Sequence, residues 1–128
     1  MKTVYFDIET IPCQLPGVRD EFVAAVQAPA KYSKPESIAE WLRENRDAEG
    51  EAAWLKTSFD GGMGHVCCIG LAVDDEAPRS YQIPADAIGN RNHEAEVLMN
   101  FFSDLTSIGR GVLVGHNIIG FDLPFIWK

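Results

Sequence analysis

Thr3-Val4-Tyr5-Phe6-Asp7-Ile8-Glu9-Thr10 is a run of β-branched and aromatic residues interrupted by two carboxylates at i and i+2. Such a composition favours a β-strand. Side chains alternate along a strand, so Asp7 and Glu9 share one face while Val4, Phe6 and Ile8 share the other. Two neighbouring carboxylates repel, and on an apolar strand they also lose hydration. A hard divalent cation with oxygen ligands relieves both costs. The short pattern alone also suits a solvated strand face.

A second stretch near the other end gives the pair its meaning. Val112-Leu113-Val114-Gly115-His116-Asn117-Ile118-Ile119-Gly120-Phe121-Asp122-Leu123 reads as a short strand running into His-Asn, with Phe-Asp four residues later. Phe6-Asp7-Ile8-Glu9-Thr10 resembles the first motif of the DEDD (DnaQ-like) 3′–5′ exonuclease superfamily. His116-Asn117-Ile118-Ile119-Gly120-Phe121-Asp122 resembles the second. The form Gly-His-Asn…Phe-Asp-Leu-Pro is most similar to the exonuclease domains of family B DNA polymerases and their stand-alone relatives.

The resemblance implies an α/β, ribonuclease H-like fold. Its mixed sheet has three antiparallel strands followed by a parallel strand, with helices on both faces. It implies a metal-dependent 3′–5′ exonuclease that hydrolyses phosphodiester bonds with two Mg²⁺ or Mn²⁺ ions. In such chemistry paired ions about 3.5–4 Å apart stabilise both the attacking and the leaving oxygen. Asp7, Glu9 and Asp122 are then the expected catalytic and metal-ligating residues, with Asp7 bridging the ions. Thr10, Ile11, Asn117 and Phe121 match substrate-binding positions, and His116 is expected to be structural. The expected partner is the 3′ end of a nucleic acid, single-stranded DNA foremost.

The family also carries a third motif, Tyr-x-x-x-Asp or His-x-x-x-x-Asp, on a final helix. No Asp follows Asp122 here, and neither Tyr32 nor Tyr81 has an Asp four residues on. The sequence therefore reads as one exonuclease-like domain over residues 1–128, incomplete at its C-terminus. A partner or a missing C-terminal segment would complete it, because Phe125-Ile126-Trp127 leaves an apolar helix face unfinished. The competing reading is a catalytically incomplete nucleic-acid-binding or assembly module of the same fold.

Composition sets the remaining bounds. At 128 residues and 46% hydrophobic content the chain has the size and apolar fraction of a globular domain. Its net charge of −8 disfavours broad electrostatic binding to nucleic acid and favours a grip on a few terminal nucleotides. No apolar run is long enough to span a membrane and no basic-then-apolar leader opens the chain, so the expected location is the cytoplasm. Three cysteines make no framework, and adjacent Cys67 and Cys68 read as small core residues.

Between the motifs, a helical insertion is expected over about 11–63. A short helix spans 18–28. A second runs from about 35 to 46 behind a Ser33-x-x-Glu36 capping box, with a break near Gly50. Gly61-Gly62-Met63-Gly64 reads as a flexible connection that is not a P-loop. Strands follow at 66–73 and 79–83, joined by a solvated acidic turn at Asp74-Asp75-Glu76. A helix over 93–107, capped by Asn92 or a neighbour, carries Glu94 and Glu96 in its first turn, where they complement the helix dipole. The fourth strand covers 112–115 and a last helix starts near Gly120 or Phe121. His65 and His93 match no motif and read as ordinary surface or turn histidines.

Overall fold

β1 (Lys2–Ile11) is the axis of the molecule, hydrogen-bonded along both edges. The computed structural model describes residues 1–128. β2 (His65–Val73) lies antiparallel to β1, and β3 (Arg79–Gln82) lies antiparallel to β2. β4 (Gly111–Val114) pairs with the first half of β1 in parallel, giving the order β3-β2-β1-β4. Three antiparallel strands and one parallel strand reached through a helix are the expected ribonuclease H-like pattern. That helix, α3 (Arg91–Ile108), is the crossover from β3 to β4.

The apolar face of β1 behaves as its alternation requires. Val4, Phe6 and Ile8 are buried with Val66, Ile69 and Leu71 of β2, and Val97 and Phe101 of α3 cover them. Phe101 packs against Phe6 with ring centroids 5.6 Å apart and against Tyr81 at 6.3 Å. The opposite face carries Tyr5 and Val112 in exposed positions.

The insertion departs from expectation in ways its packing explains. α1 is shorter, Val18–Ala24. α2 runs unbroken from Pro35 to Leu55, so the break anticipated at Gly50 does not occur. Gly50 is buried where α1 crosses, and a Cβ there would approach Val23 Cα to 2.5 Å. The glycine serves helix contact rather than helix termination. The capping box does not form either: Lys34 occupies the N-cap, with no side-chain hydrogen bond, and Pro35 opens the helix.

A polar latch returns the insertion to the sheet. Trp54 Nε1 donates to Cys13 O at 2.8 Å, Cys13 N donates to Thr57 Oγ1 at 2.8 Å, and Thr57 Oγ1 donates to Trp54 O at 2.7 Å. After a 3₁₀ turn (Lys56–Phe59), the Gly61–Gly64 segment is a hydrogen-bonded turn rather than a loose connection. Asp60 O accepts from Met63 N and Gly64 N, and Asp60 Oδ1 accepts from Gly62 N. That last bond, with the nearby Lys128 ammonium, holds the Asp60 carboxyl below its usual range.

Two further boundaries shift. Asn90, not Asn92, caps α3 by accepting from Asn92 N, and of the two glutamates only Glu94 lies in the first turn. At the β2–β3 turn, Asp74 does more than meet solvent. Its Oδ1 accepts from Thr3 N at 2.7 Å and braces the start of β1. No helix is long and apolar enough to cross a membrane.

Candidate functional site

The carboxylate pair sits where strand alternation puts it. Asp7 and Glu9 are exposed on the face opposite the core, and neither enters an ion pair. A shallow trough of about 370 Å³ beside Asp7 is lined by Tyr5, Ala72, Arg79, Val114 and His116 among others.

Asp122 reaches this region through the backbone. The β1–β4 ladder ends at Tyr5↔Val114, which leaves the later amides on that edge of β1 without a strand partner. Asp122 Oδ1 accepts from Ile8 N at 3.1 Å and supplies the missing acceptor. Asp122 is the first residue of α4 (Asp122–Ile126) and is only 2% exposed. Its carboxylate is therefore moored to the backbone N–H of Ile8, the one residue that lies between Asp7 and Glu9.

The Gly-His-Asn segment makes that mooring possible. Gly115 passes so close to β1 that a Cβ would lie 2.5 Å from Phe6 O and 2.3 Å from Ile118 Cγ2. Asn117 turns the chain in the left-handed region at φ 53°, a conformation Asn tolerates better than most residues. Asn117 O then accepts from Gly120 N and Phe121 N, and the helix starts one residue later. No group of three His, Cys, Asp or Glu side chains is closed into a ready metal-binding set. The structure brings the three carboxylate-bearing positions to one stretch of β1 without converging their oxygens.

The neighbouring thiols were unforeseen. The β1–β2 register slips between Glu9 and Thr10, because Glu9 faces Cys68 while Thr10 faces Val66. Cys67 is thus the extra residue of a β-bulge. Both cysteines are half-buried, not core residues as the sequence suggested, and all three cysteines are free. Cys67 Sγ donates to Glu9 O at 3.4 Å. Burial, followed by the negative charges of Glu9 and Asp7, pushes the Cys68 thiol above its usual pKa. Burial, Cys68 and Glu9 do the same to Cys67.

The residues after the carboxylates line the end of β1. Thr10 Oγ1 donates to Ser58 O at 2.6 Å, and Ile11 is half-buried. Asn117 and His116 are exposed, and Phe121 is half-buried. Phe121 stacks edge-on to Phe59 with centroids 6.4 Å apart. Phe59 is 73% exposed, an aromatic edge the sequence did not single out.

His65 contradicts its reading as an ordinary surface or turn residue. It opens β2, is 8% exposed, and places Nδ1 2.8 Å from Glu94 Oε2. Glu94 Oε1 accepts from Val66 N at 2.9 Å, so this glutamate ties α3 to β2 as well as complementing the dipole. His93, half-buried, lies 3.5 Å from Glu96. Twenty-nine residues separate His65 from Glu94, and no spacing rule links them.

A family model described as DNA polymerase family B, exonuclease domain, matches residues 34–128. The matched span includes β2, β3, α3, β4 and the Gly115–Asp122 segment, and it begins after Asp7 and Glu9. No curated protein and no solved structure matches the chain.

Proposed function

The chain belongs to the family of DNA polymerase family B exonuclease domains, and on that premise we propose that it removes nucleotides from the 3′ end of single-stranded DNA with the help of two divalent cations. The observation that carries the reading is the mooring of Asp122 to the backbone N–H of Ile8, the residue between Asp7 and Glu9. It gathers three hard-oxygen residues at one stretch of strand, with two of the carboxylates exposed and unpaired.

Asp7, Glu9 and Asp122 are oxygen donors only, which suits Mg²⁺ or Mn²⁺ over softer metals. When bound, such ions activate water and neutralise charge at the phosphate. Asp7 and Glu9 would hold the cations, and their exposed side chains can rotate to do so. Asp122 would fix the Ile8 peptide, and with it the separation of its two neighbours, while offering its other oxygen to the site. Thr10 and Ile11 would bear on the terminal nucleotide just beyond Glu9. Phe121, edge-on to Phe59, would present an apolar face to a base, a sequence-tolerant contact. Asn117 would hold the turn that places Phe121 and Asp122. The net charge of −8 limits contact with a long duplex and favours a short terminal grip.

Digestion of a 5′-labelled single-stranded oligonucleotide with Mg²⁺ or Mn²⁺ tests this. A ladder shortening from the 3′ end, abolished by EDTA and by Asp7→Ala, is the expected result. Metal-dependent thermal stabilisation without cleavage would instead identify a binding module of the same fold. Absence of both would overturn the site.

A further inference from the structure

We propose that Phe59 is a base-stacking residue, which with Phe121 seats one unpaired base of a bound nucleic-acid strand beside the end of β1. The proposal rests on the reading of the chain as a domain that takes a single-stranded 3′ end. It adds a contact from the insertion to a site otherwise built from the two motif-bearing segments.

A singly exposed apolar side chain is ordinary. What sets Phe59 apart is that the backbone on either side of it is fastened while its ring stays outside. Thr57 is buried, with its hydroxyl spent between Cys13 N and Trp54 O. Ser58 O accepts from Thr10 Oγ1 at 2.6 Å, which ties the turn to the residue after Glu9. Asp60 N donates to Thr57 O at 3.0 Å, and Asp60 Oδ1 lies 3.5 Å from Lys128 Nζ. Gly61 passes so close to the backbone of Phe125 that a Cβ would clash with it. Between these ties the Phe59 ring is 73% exposed. A rigid aromatic loses little conformational freedom when it takes a ligand.

The ring is also aimed. Its partner is Phe121, with centroids 6.4 Å apart and planes at 63°, and Phe121 immediately precedes Asp122. Phe121 in turn packs at 5.5 Å on Phe125, a core residue. The aromatic row therefore runs from the core outward and ends on Phe59, between the segment after Glu9 and the segment before Asp122. An edge-on pair makes a corner, not a closed stack, so a flat heterocycle can lie on one ring and meet the other at its edge. Stacking of this kind accepts any base, because every base has a π-face, but it needs a base free of its pairing partner. Lys56, in the same 3₁₀ turn, is exposed and enters no ion pair. The turn thus carries an unneutralised cation as well as an aromatic, the combination found in grooves for single strands.

The test is fluorescence anisotropy of the full chain with a short 5′-fluorescein-labelled single-stranded DNA, with Ca²⁺ in place of Mg²⁺ so that binding is read apart from cleavage. Phe59→Ala should weaken binding roughly five- to 150-fold. Phe59→Leu, which keeps an apolar contact with Phe121, should weaken it as well, and Phe59→Trp should retain it. Met99→Ala is the control, since Met99 is 70% exposed on α3, away from the motifs. A single abasic nucleotide moved stepwise from the 3′ end should weaken binding by the parent at one position, and Phe59→Ala should erase that dependence. Equal binding by parent and Phe59→Ala, or an abasic profile that Phe59→Ala leaves intact, would overturn the proposal while the nuclease reading stands. Binding that depends on Phe59 in a chain that never cleaves would uphold the proposal and sink the nuclease reading. A parent that binds no single strand would overturn both.

Discussion

Asp122 has two duties that a single atom change can separate. Its Oδ1 satisfies a buried backbone amide. Asp122→Ala strands that amide and should cost about 1–3 kcal/mol of stability. Asp122→Asn keeps an acceptor oxygen but loses the charge, so it should unfold close to the parent in urea while losing exonuclease activity. Urea melts beside the oligonucleotide assay check both halves. Tyr81 offers a pH-dependent case. Burial, with the Asp104 carboxylate hydrogen-bonded to its hydroxyl, pushes Tyr81 up to about 12, against a partial opposing effect from Arg79. A folded-state pKa above the unfolded value gives stability that is intact below about pH 10 and is lost as pH rises through about 12. Asp104→Asn should bring the late tyrosinate transition, followed by ultraviolet absorbance, back towards 10, and Tyr81→Phe should delete it. At this scale the sequence disclosed what strand alternation governs. It placed Asp7 and Glu9 on one face because a strand repeats every two residues. It hid the Cys67 bulge, since one extra residue leaves no mark on composition. It also hid His65–Glu94, because a contact across 29 residues has no local period.

Gly50 is the point at which element and tertiary packing disagree. Helix propensity alone credits Gly50→Ala with a gain of about 1 kcal/mol. The Cβ would meet Val23 backbone at 2.5 Å, so α1 must shift away from α2. Overpacking of this kind costs about 1–3 kcal/mol, and the net effect should be destabilising. Circular dichroism melts of Gly50→Ala against a Gly62→Ala control would show it, because the nearest atom to a Cβ at Gly62 is the Asp60 carboxylate oxygen at 3.2 Å. The same residue explains why α2 outran its expected end. Glycine reads as a stop when only neighbours in sequence are visible, and as a contact once α1 is in place. The Ser33–Glu36 capping pattern misled for a related reason: with Pro35 at N1, the capping position falls on Lys34.

The alternation of β1, the apolar run of β2 and the amphipathic face of α3 are visible in the residue pattern, whereas the strand order β3-β2-β1-β4 and the crossover through α3 are legible only through the family resemblance. The meeting of the two motif-bearing segments needed more, namely a left-handed Asn117 and a Gly115 close enough to touch β1. If Asp7 and Glu9 hold cations, Mg²⁺ or Mn²⁺ should stabilise the whole fold by mass action, by about 2.7 kcal/mol at a hundred times Kd. Asp7→Ala should abolish that gain while matching or exceeding the parent's melting temperature in EDTA, since it removes one of two like charges on a strand. The Ile8 amide has a consequence of its own. Its acceptor belongs to the last helix rather than to a neighbouring strand, so solvent deuterium can reach it only when α4 lifts away. Its exchange rate is therefore a single-proton gauge of how firmly the chain's final turn is seated against its first strand.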